Sequence, residues 1–480
     1  MQHLSLPRRR PEEQGVSPSH ILSFINALEE NHIECHGFTI VRHGSVVAEA
    51  FWKPYRKELP HMLFSLSKSF TAMAVGLCVN EGLFCVNDPV TGFFKEDLPK
   101  KMDDKFRNLR MQHLLCMATG HKEDFLDKVV TRRDHNWVRH FFENPLEYEP
   151  GTHFVYNNMA TYMLSAIVTK VTGQSVLDYL IPRLFNKLGI EKPFWGTDFN
   201  GNNLGAWGLS VKNDDLAKFG LMILNKGMFY GERVIPEDWI IEATNPKIAN
   251  GNNPDNDWNQ GYGYQFWMCR HNAFRGDGAF GQYCIVLPEQ DAVVAINSGI
   301  PEMQAVLDLV YDHLLPGMSD NPLPASGDYE KLISKCGSLH YDPKVVKTEC
   351  RIMSPYMGRT YILEKNRFGL KDLSISLEKD ILTISLKGPG GMNLTAGIGE
   401  WIDGTAKLND DPIPKRQYYR TAGTYSWEDE SSLLLDVRYI ETPFRYIIRC
   451  RFEGNKANLT ITPNVSMAPN SEIKLEGFSR

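Results

Sequence analysis

No stretch of this 480-residue chain is apolar over the roughly 20 residues that a membrane-spanning helix requires, so no helical span is expected. A basic stripe is also missing. The 52 lysines and arginines against 58 acidic residues leave a net charge of -6, spread along the chain, so no nucleic-acid partner is expected. The nine cysteines, scattered from Cys35 to Cys450, include no Cys-x-x-Cys pair and no zinc spacing, so neither a metal site nor a cofactor is expected. Cys78, Cys116 and Cys284 sit in apolar runs and read as small core residues. Arg8-Arg9-Arg10 runs into Pro11-Glu12-Glu13-Gln14-Gly15 without an apolar h-region. A cytoplasmic location is therefore expected, with export only for a chain whose signal has been trimmed.

What is present is globular. Hydrophobic residues make up 42% and charged residues 23%, and a chain this long calls for two cores. Residues 38–52 read as two strands around a His43-Gly44 turn, and residues 283–297 as a second hairpin. Between about 66 and 190 the texture is helical, with Thr161 to Val171 and Val176 to Leu188 as amphipathic candidates. Lys212-Asn213-Asp214-Asp215 looks like a helix start, Gly227 like its stop, and Met303 to Leu315 like a last helix. Strands are expected to resume only after residue 262. Early and late strands bracketing a helical insertion suggest one antiparallel sheet flanked by helices, with a helical subdomain beside it, an α+β architecture. The Pro- and Gly-rich stretch after Leu315 suggests a unit over 1–320, a linker over 321–329, and a β-rich accessory unit over 330–480, where 372–385 and 432–450 alternate.

The chemistry starts at Phe64-Ser65-Leu66-Ser67-Lys68, followed by the apolar run Phe70, Met73, Ala74, Leu77 and Cys78 at helical spacing. A free serine hydroxyl is a poor nucleophile near neutral pH and needs a group to take its proton. Residues three apart share a helix face, and burial lowers a lysine's pKa, so Lys68 is the candidate acceptor for Ser65. The spacing itself discriminates nothing. It recurs at Ser376/Lys379 in an alternating strand pattern and at Ser471/Lys474 in the polar tail. Pro150-Gly151-Thr152-His153-Phe154-Val155-Tyr156-Asn157-Asn158, a turn ahead of a helix, supplies a tyrosine and a carboxamide as further polar groups. His121 reads as structural, and Tyr262, Tyr264, Phe266 and Trp267 as core aromatics.

Together with Met111-Gln112-His113-Leu114-Leu115-Cys116-Met117-Ala118-Thr119-Gly120, Gly208-Leu209-Ser210, Gly261-Tyr262-Gly263-Tyr264 and Phe280-Gly281-Gln282-Tyr283, these segments resemble the serine β-lactamase and penicillin-binding-protein superfamily, in particular its class C and esterase branch, over about residues 10–315. The resemblance implies Ser65 as the acylated nucleophile, Lys68 as its proton partner, Tyr156 as general base and Asn158 as a contact to substrate and lysine. It also implies Gly278 as the close-approach glycine, with the Ala279 and Ser65 N–H groups as oxyanion donors. The family's Lys/His-Thr/Ser-Gly tripeptide does not occur. The equivalent stretch is Arg275-Gly276-Asp277-Gly278-Ala279, in which Asp277 reads as pointing to water from a tight turn, with Arg275 as a substitute cation. The expected function is a serine hydrolase that cleaves a small ester, amide or peptide substrate through an acyl-enzyme. A D-amino-acid peptidase, DD-carboxypeptidase or weak β-lactamase is one alternative; an acylation-poor binding protein on the same fold is the other. Oligomeric state is left open.

Overall fold

The computed structural model describes residues 4–343, 356–408, 411–413, 416, 418–468 and 472–479. Strands β1 (Cys35–Arg42), β2 (Ser45–Phe51), β3 (Trp267–Met268), β4 (Phe274–Gly278), β5 (Gln282–Leu287) and β6 (Ala292–Ser298) form an antiparallel sheet in the order β2-β1-β6-β5-β4-β3. Both expected hairpins are present. The two chain ends meet because β1 pairs with β6, Phe38 opposite Ile296, so the helical insertion hangs from one side of a sheet built from both halves. Both faces are covered, and β1, β5 and β6 are buried at every position, which explains their continuous apolar runs.

The helix that follows Ser65, α1 (Ser67–Asn80), is buried from Ser67 through Cys78. A helix apolar on every side belongs inside a core. Phe70 stacks on Phe219 with ring centres 3.8 Å apart, and Gly76 lies flat against the Trp239 indole. Helix α2 (Asn158–Thr172) begins where Asn157 caps it, its side chain accepting from the Met159 N–H, and ends on Gly173 in the left-handed region. The expected helix over 176–188 is interrupted after Leu180 by a wider π turn, Ile181–Phe185, which contains Pro182.

Strands do not wait for residue 262. His61–Met62, Phe194–Trp195 and Leu209–Val211 make a small sheet whose strands are too short to show alternation. It matters for the site, because the Leu63 N–H donates to the Leu209 carbonyl and fixes the approach to Ser65.

The C-terminal part is an all-β barrel of ten strands, from Thr360–Leu363 to Ile473–Ser479, closed where Met392–Ile398 runs parallel to Tyr419–Trp427. Alternation puts one face inside: along Arg445–Glu453 the residues Tyr446, Ile448, Cys450 and Phe452 are buried. Helix Asp328–Ser338 lies across residue 330, where the second unit was expected to begin. Its buried Leu332 belongs to the core around the first sheet, and Tyr341 reaches back to donate to the Cys35 carbonyl. Ser471 lies outside the described residues.

Contacts of several kinds seat the barrel against the first unit. Arg438, almost wholly buried, pairs with Glu34 at 2.7 Å and lies 3.9 Å above the Tyr341 ring. The Trp207 indole N–H donates to the Pro412 carbonyl at 2.7 Å. Phe64 packs edge-to-face on Phe444 of the barrel and on Phe280.

Candidate active site

Ser65 occupies a 3-10 turn, Phe64–Leu66, that runs directly into α1. Phe64 has φ of 48°, a left-handed backbone that costs a side-chain-bearing residue about 1 kcal/mol or more. The two aromatic contacts on Phe64 hold it there. Ser67 fastens the same turn from below, donating to the Phe64 carbonyl at 2.6 Å and accepting from the Leu209 N–H at 3.1 Å.

Lys68, one turn on, is buried, and its Nζ donates to Ser65 Oγ at 3.0 Å, Asn158 Oδ1 at 2.7 Å and the Ala206 carbonyl at 2.9 Å. Burial drives this amine down to about 7, against a partial counter-pull from the Asp124 and Asp277 carboxylates. At neutral pH a sizeable share of Lys68 is therefore an uncharged base within hydrogen-bond distance of the serine.

Tyr156 lies beside the pair, its ring 4.8 Å from Lys68 Nζ and stacked on Trp267 at 5.3 Å. Burial, together with the Asp277 charge, pushes its hydroxyl above the ordinary phenol range, while contact with Ser65 offsets only part of this. It is a phenol at neutral pH. Asn158 joins the lysine to the cavity rim, its Nδ2 donating to Asp124 Oδ2 at 2.5 Å.

Strand β4 runs close alongside the Ser65 turn. A Cβ at Gly276 would stand 2.6 Å from Ser69 Oγ, and one at Gly278 would stand 1.9 Å from the Leu63 carbonyl oxygen. Only glycine permits the approach at 278, and a side chain at 276 would have to displace the Ser69 hydroxyl. Gly278 ends the strand and Ala279 follows in the turn, half-buried against Phe280 and the barrel core.

Asp277 does not point to water. It is buried, and Arg275 donates to its Oδ2 through Nε at 3.0 Å, with Nη2 forming an ion pair 2.9 Å from the same oxygen. Side chains two apart on a strand share a face, so the charges meet on the side of β4 away from Gly276 and Gly278. Arg275, without exposed surface, also donates to the Asp257 carbonyl and lies against Trp258, so it is no substitute cation for a ligand. Trp267, read as core, is buried but reaches the site, because its indole hydrogen-bonds Asp277 and its face carries Tyr156.

Ser65 and Asn158 open onto a cavity of about 810 Å³. One side comes from the first unit, with Asp124, Trp137 and Trp207; the other comes from the barrel, with Phe444, Tyr446 and Ile461 among others. Asp124 and the barrel wall had no sequence signal: Asp124 lies in a loop without a motif, and the wall is assembled from residues some 400 positions from Ser65. His121 is enclosed by Phe106, Phe125 and Phe141 and bonded to Thr119, with burial holding it down to about 4.

A family model described as Beta-lactamase matches residues 23–312. The chain belongs to the β-lactamase family. It is a serine hydrolase of β-lactamase-like fold with a C-terminal all-β barrel. It is 27% identical to the 6-aminohexanoate-dimer hydrolase of Paenarthrobacter ureafaciens over 293 residues, 55% of this chain and 72% of that protein. Lovastatin esterase of Penicillium rubens is 25% identical over 183 residues, 31% of this chain and 45% of the esterase. In fold, the octameric penicillin-binding protein homologue from Pyrococcus abyssi is similar over 95% of this chain and 99% of its own, with TM-score 0.50 and 17% identity.

Proposed function

We propose that this hydrolase cleaves an ester or amide through a covalent acyl-enzyme on Ser65, with Lys68 as the proton acceptor. The observation that carries the reading is a buried lysine, held near neutrality in pKa, 3.0 Å from the serine hydroxyl. In the first half-reaction the Ser65 oxygen bonds to the substrate carbonyl carbon and its proton moves to the Lys68 amine. Collapse breaks the bond to the leaving group, which takes that proton. In the second half, water attacks the acyl carbon, gives its proton to Lys68, and the acid leaves as Ser65 regains its hydrogen.

Tyr156, held as a phenol, donates or relays a proton rather than abstracting one as tyrosinate. The N–H groups of Ser65 and Ala279 receive the oxyanion, a role supported by the tight passage of β4 past the Ser65 turn. Asn158 orients Lys68 and meets the substrate.

Relatives named for an amide dimer and for an ester agree in reaction type, acyl transfer to water. A carboxylate-bearing β-lactam or peptide C-terminus is disfavoured, since position 276 is glycine and supplies no cation, and Arg275 is already paired.

The test is covalent labelling. A fluorophosphonate should add its phosphonyl mass to the Ser65 peptide, and Ser65→Ala should remove both the adduct and p-nitrophenyl acetate cleavage. Cleavage persisting in folded Ser65→Ala would place the nucleophile elsewhere.

A further inference from the structure

The barrel has no part in the proton transfers, yet it encloses half of the space in front of Ser65. Tyr446, Ile461 and Ile473, which line the cavity, are themselves buried members of the barrel's core, and Val465 on the following loop is also buried. The inside of the barrel and the wall of the active-site cavity are thus one apolar surface. Phe64, adjacent to the nucleophile, belongs to the same cluster.

The charged lining is of one sign. Asp124, Asp127 and Asp411 face the cavity, and no lysine or arginine does so among the described residues. Asp124 and Asp127 are exposed, as are Phe199 and Met467, whereas Trp137, Phe444 and Ile461 are buried. The cavity therefore has an acidic, solvated rim and an apolar interior.

We infer that the C-terminal barrel is a substrate-binding element, and that the cavity between it and the first unit holds an uncharged, apolar acyl group while that group is attached to Ser65. This rests on the acyl-enzyme reading above. The acyl part is the portion that stays on the serine when the leaving group departs, and the buried space opening from Ser65 is the space available to it. A volume of about 810 Å³ is far larger than an acetyl group needs and falls in the range of small-molecule sites. An acyl chain ending in a carboxylate would meet three acidic side chains and, among the described residues that line the cavity, no lysine or arginine.

A chain-length series of p-nitrophenyl esters, acetyl through octanoyl, reads this directly. While the chain is filling the cavity, kcat/KM should rise by about fourfold per methylene, the factor expected from burying one CH2. A half-ester of succinic acid should be cleaved at least about tenfold more slowly than the butyryl ester of similar length. Val465→Trp, which fills the wall from the loop, should cut the octanoyl-to-acetyl ratio by about tenfold or more, and Ile461→Ala should move the optimum to longer chains. A flat series in the native protein overturns the inference, as does a ratio unchanged in whichever variant folds. If Ser65→Ala still cleaves the acetyl ester, it is the acyl-enzyme reading that fails. A silent Ser65→Ala beside a flat series removes only the role given to the barrel.

Discussion

The chain contains the same four-residue spacing in two environments. Ser65 lies in the 3-10 turn that leads into a helix buried on every side, and Lys68 on that helix's first turn, whereas Ser376 and Lys379 lie on an exposed barrel hairpin. On the hairpin, Ser376 faces out of its strand, and Lys379 and Asp380 form the two-residue turn, with φ of 49° and 67°. Both side chains are exposed there. In the helix the side chains meet at 3.0 Å, and burial takes the amine to about 7. Burial and helical phase, rather than the motif, set the two pairs apart.

The largest break in this comparison comes from removing the amine. Lys68→Met should lower kcat for ester cleavage by about 10³-fold while leaving the protein folded, the middle of the range for loss of a proton-transfer group. The same variant has a thermodynamic signature. In the native protein the folded state releases the Lys68 proton near pH 7, whereas the unfolded chain holds it to about 10.4, so stability rises with pH across that window. Lys68→Met should show a flatter stability-pH curve between pH 7 and 10 in chemical unfolding. A curve as steep as the native one would mean that Lys68 is not a desolvated amine.

Next in size is the pH dependence of the rate. Only neutral Lys68 accepts the serine proton, so kcat/KM for a neutral ester should fall by about tenfold per pH unit below the apparent pKa of about 7 and level off above it. Tyr156, protonated throughout this range, contributes no acidic limb. A rate that kept climbing toward the phenol range would transfer the role of base to Tyr156.

Part of the candidate site is legible in the sequence. Helix phase and a Pro-Gly turn, both local properties, mark Ser65, Lys68 and the Tyr156 to Asn158 turn as candidates, the family resemblance supplies their roles, and local periodicity marks the hairpins over 38–52 and 283–297 and the alternating barrel strands. What stayed hidden is set by contacts distant in sequence. The strands His61–Met62 and Leu209–Val211 exist only as partners of each other. Arg275-Gly276-Asp277-Gly278 has the composition of a turn, and only the neighbouring Ser65 turn makes its glycines a close-approach strand and its Asp277 a buried ion pair. Helix Asp328–Ser338 follows a Pro- and Gly-rich stretch that looks like a boundary, yet Leu332 returns the chain to the first core. The barrel side of the cavity has no local signature at all.

A smaller effect sharpens the account of why Lys68 titrates where it does. The Asp124 carboxylate favours the ammonium form, so it holds the amine's pKa higher than burial alone would. Asp124→Asn should therefore move the acidic limb of the rate profile to lower pH, raising the rate at pH 6 relative to the plateau by less than about tenfold. Movement to higher pH would contradict the sign of this interaction. The plateau rate is a separate readout, since it also reports the hydrogen bond between Asn158 and Asp124.

The smallest effect belongs to the copy of the spacing on the barrel hairpin, where it carries the most weight for the comparison. Ser376→Ala and Lys379→Ala, alone or together, remove no buried contact, because both side chains are exposed. They should leave kcat/KM unchanged and shift unfolding free energy by less than about 0.5 kcal/mol each, as exposed substitutions do. Lys379 occupies a left-handed turn position, so its replacement is also tested as Lys379→Asn, which suits that backbone and should match or exceed native stability. A substantial loss of ester cleavage in Ser376→Ala would show that the solvated pair takes part in chemistry, and the contrast drawn from burial would then fail at its simplest point.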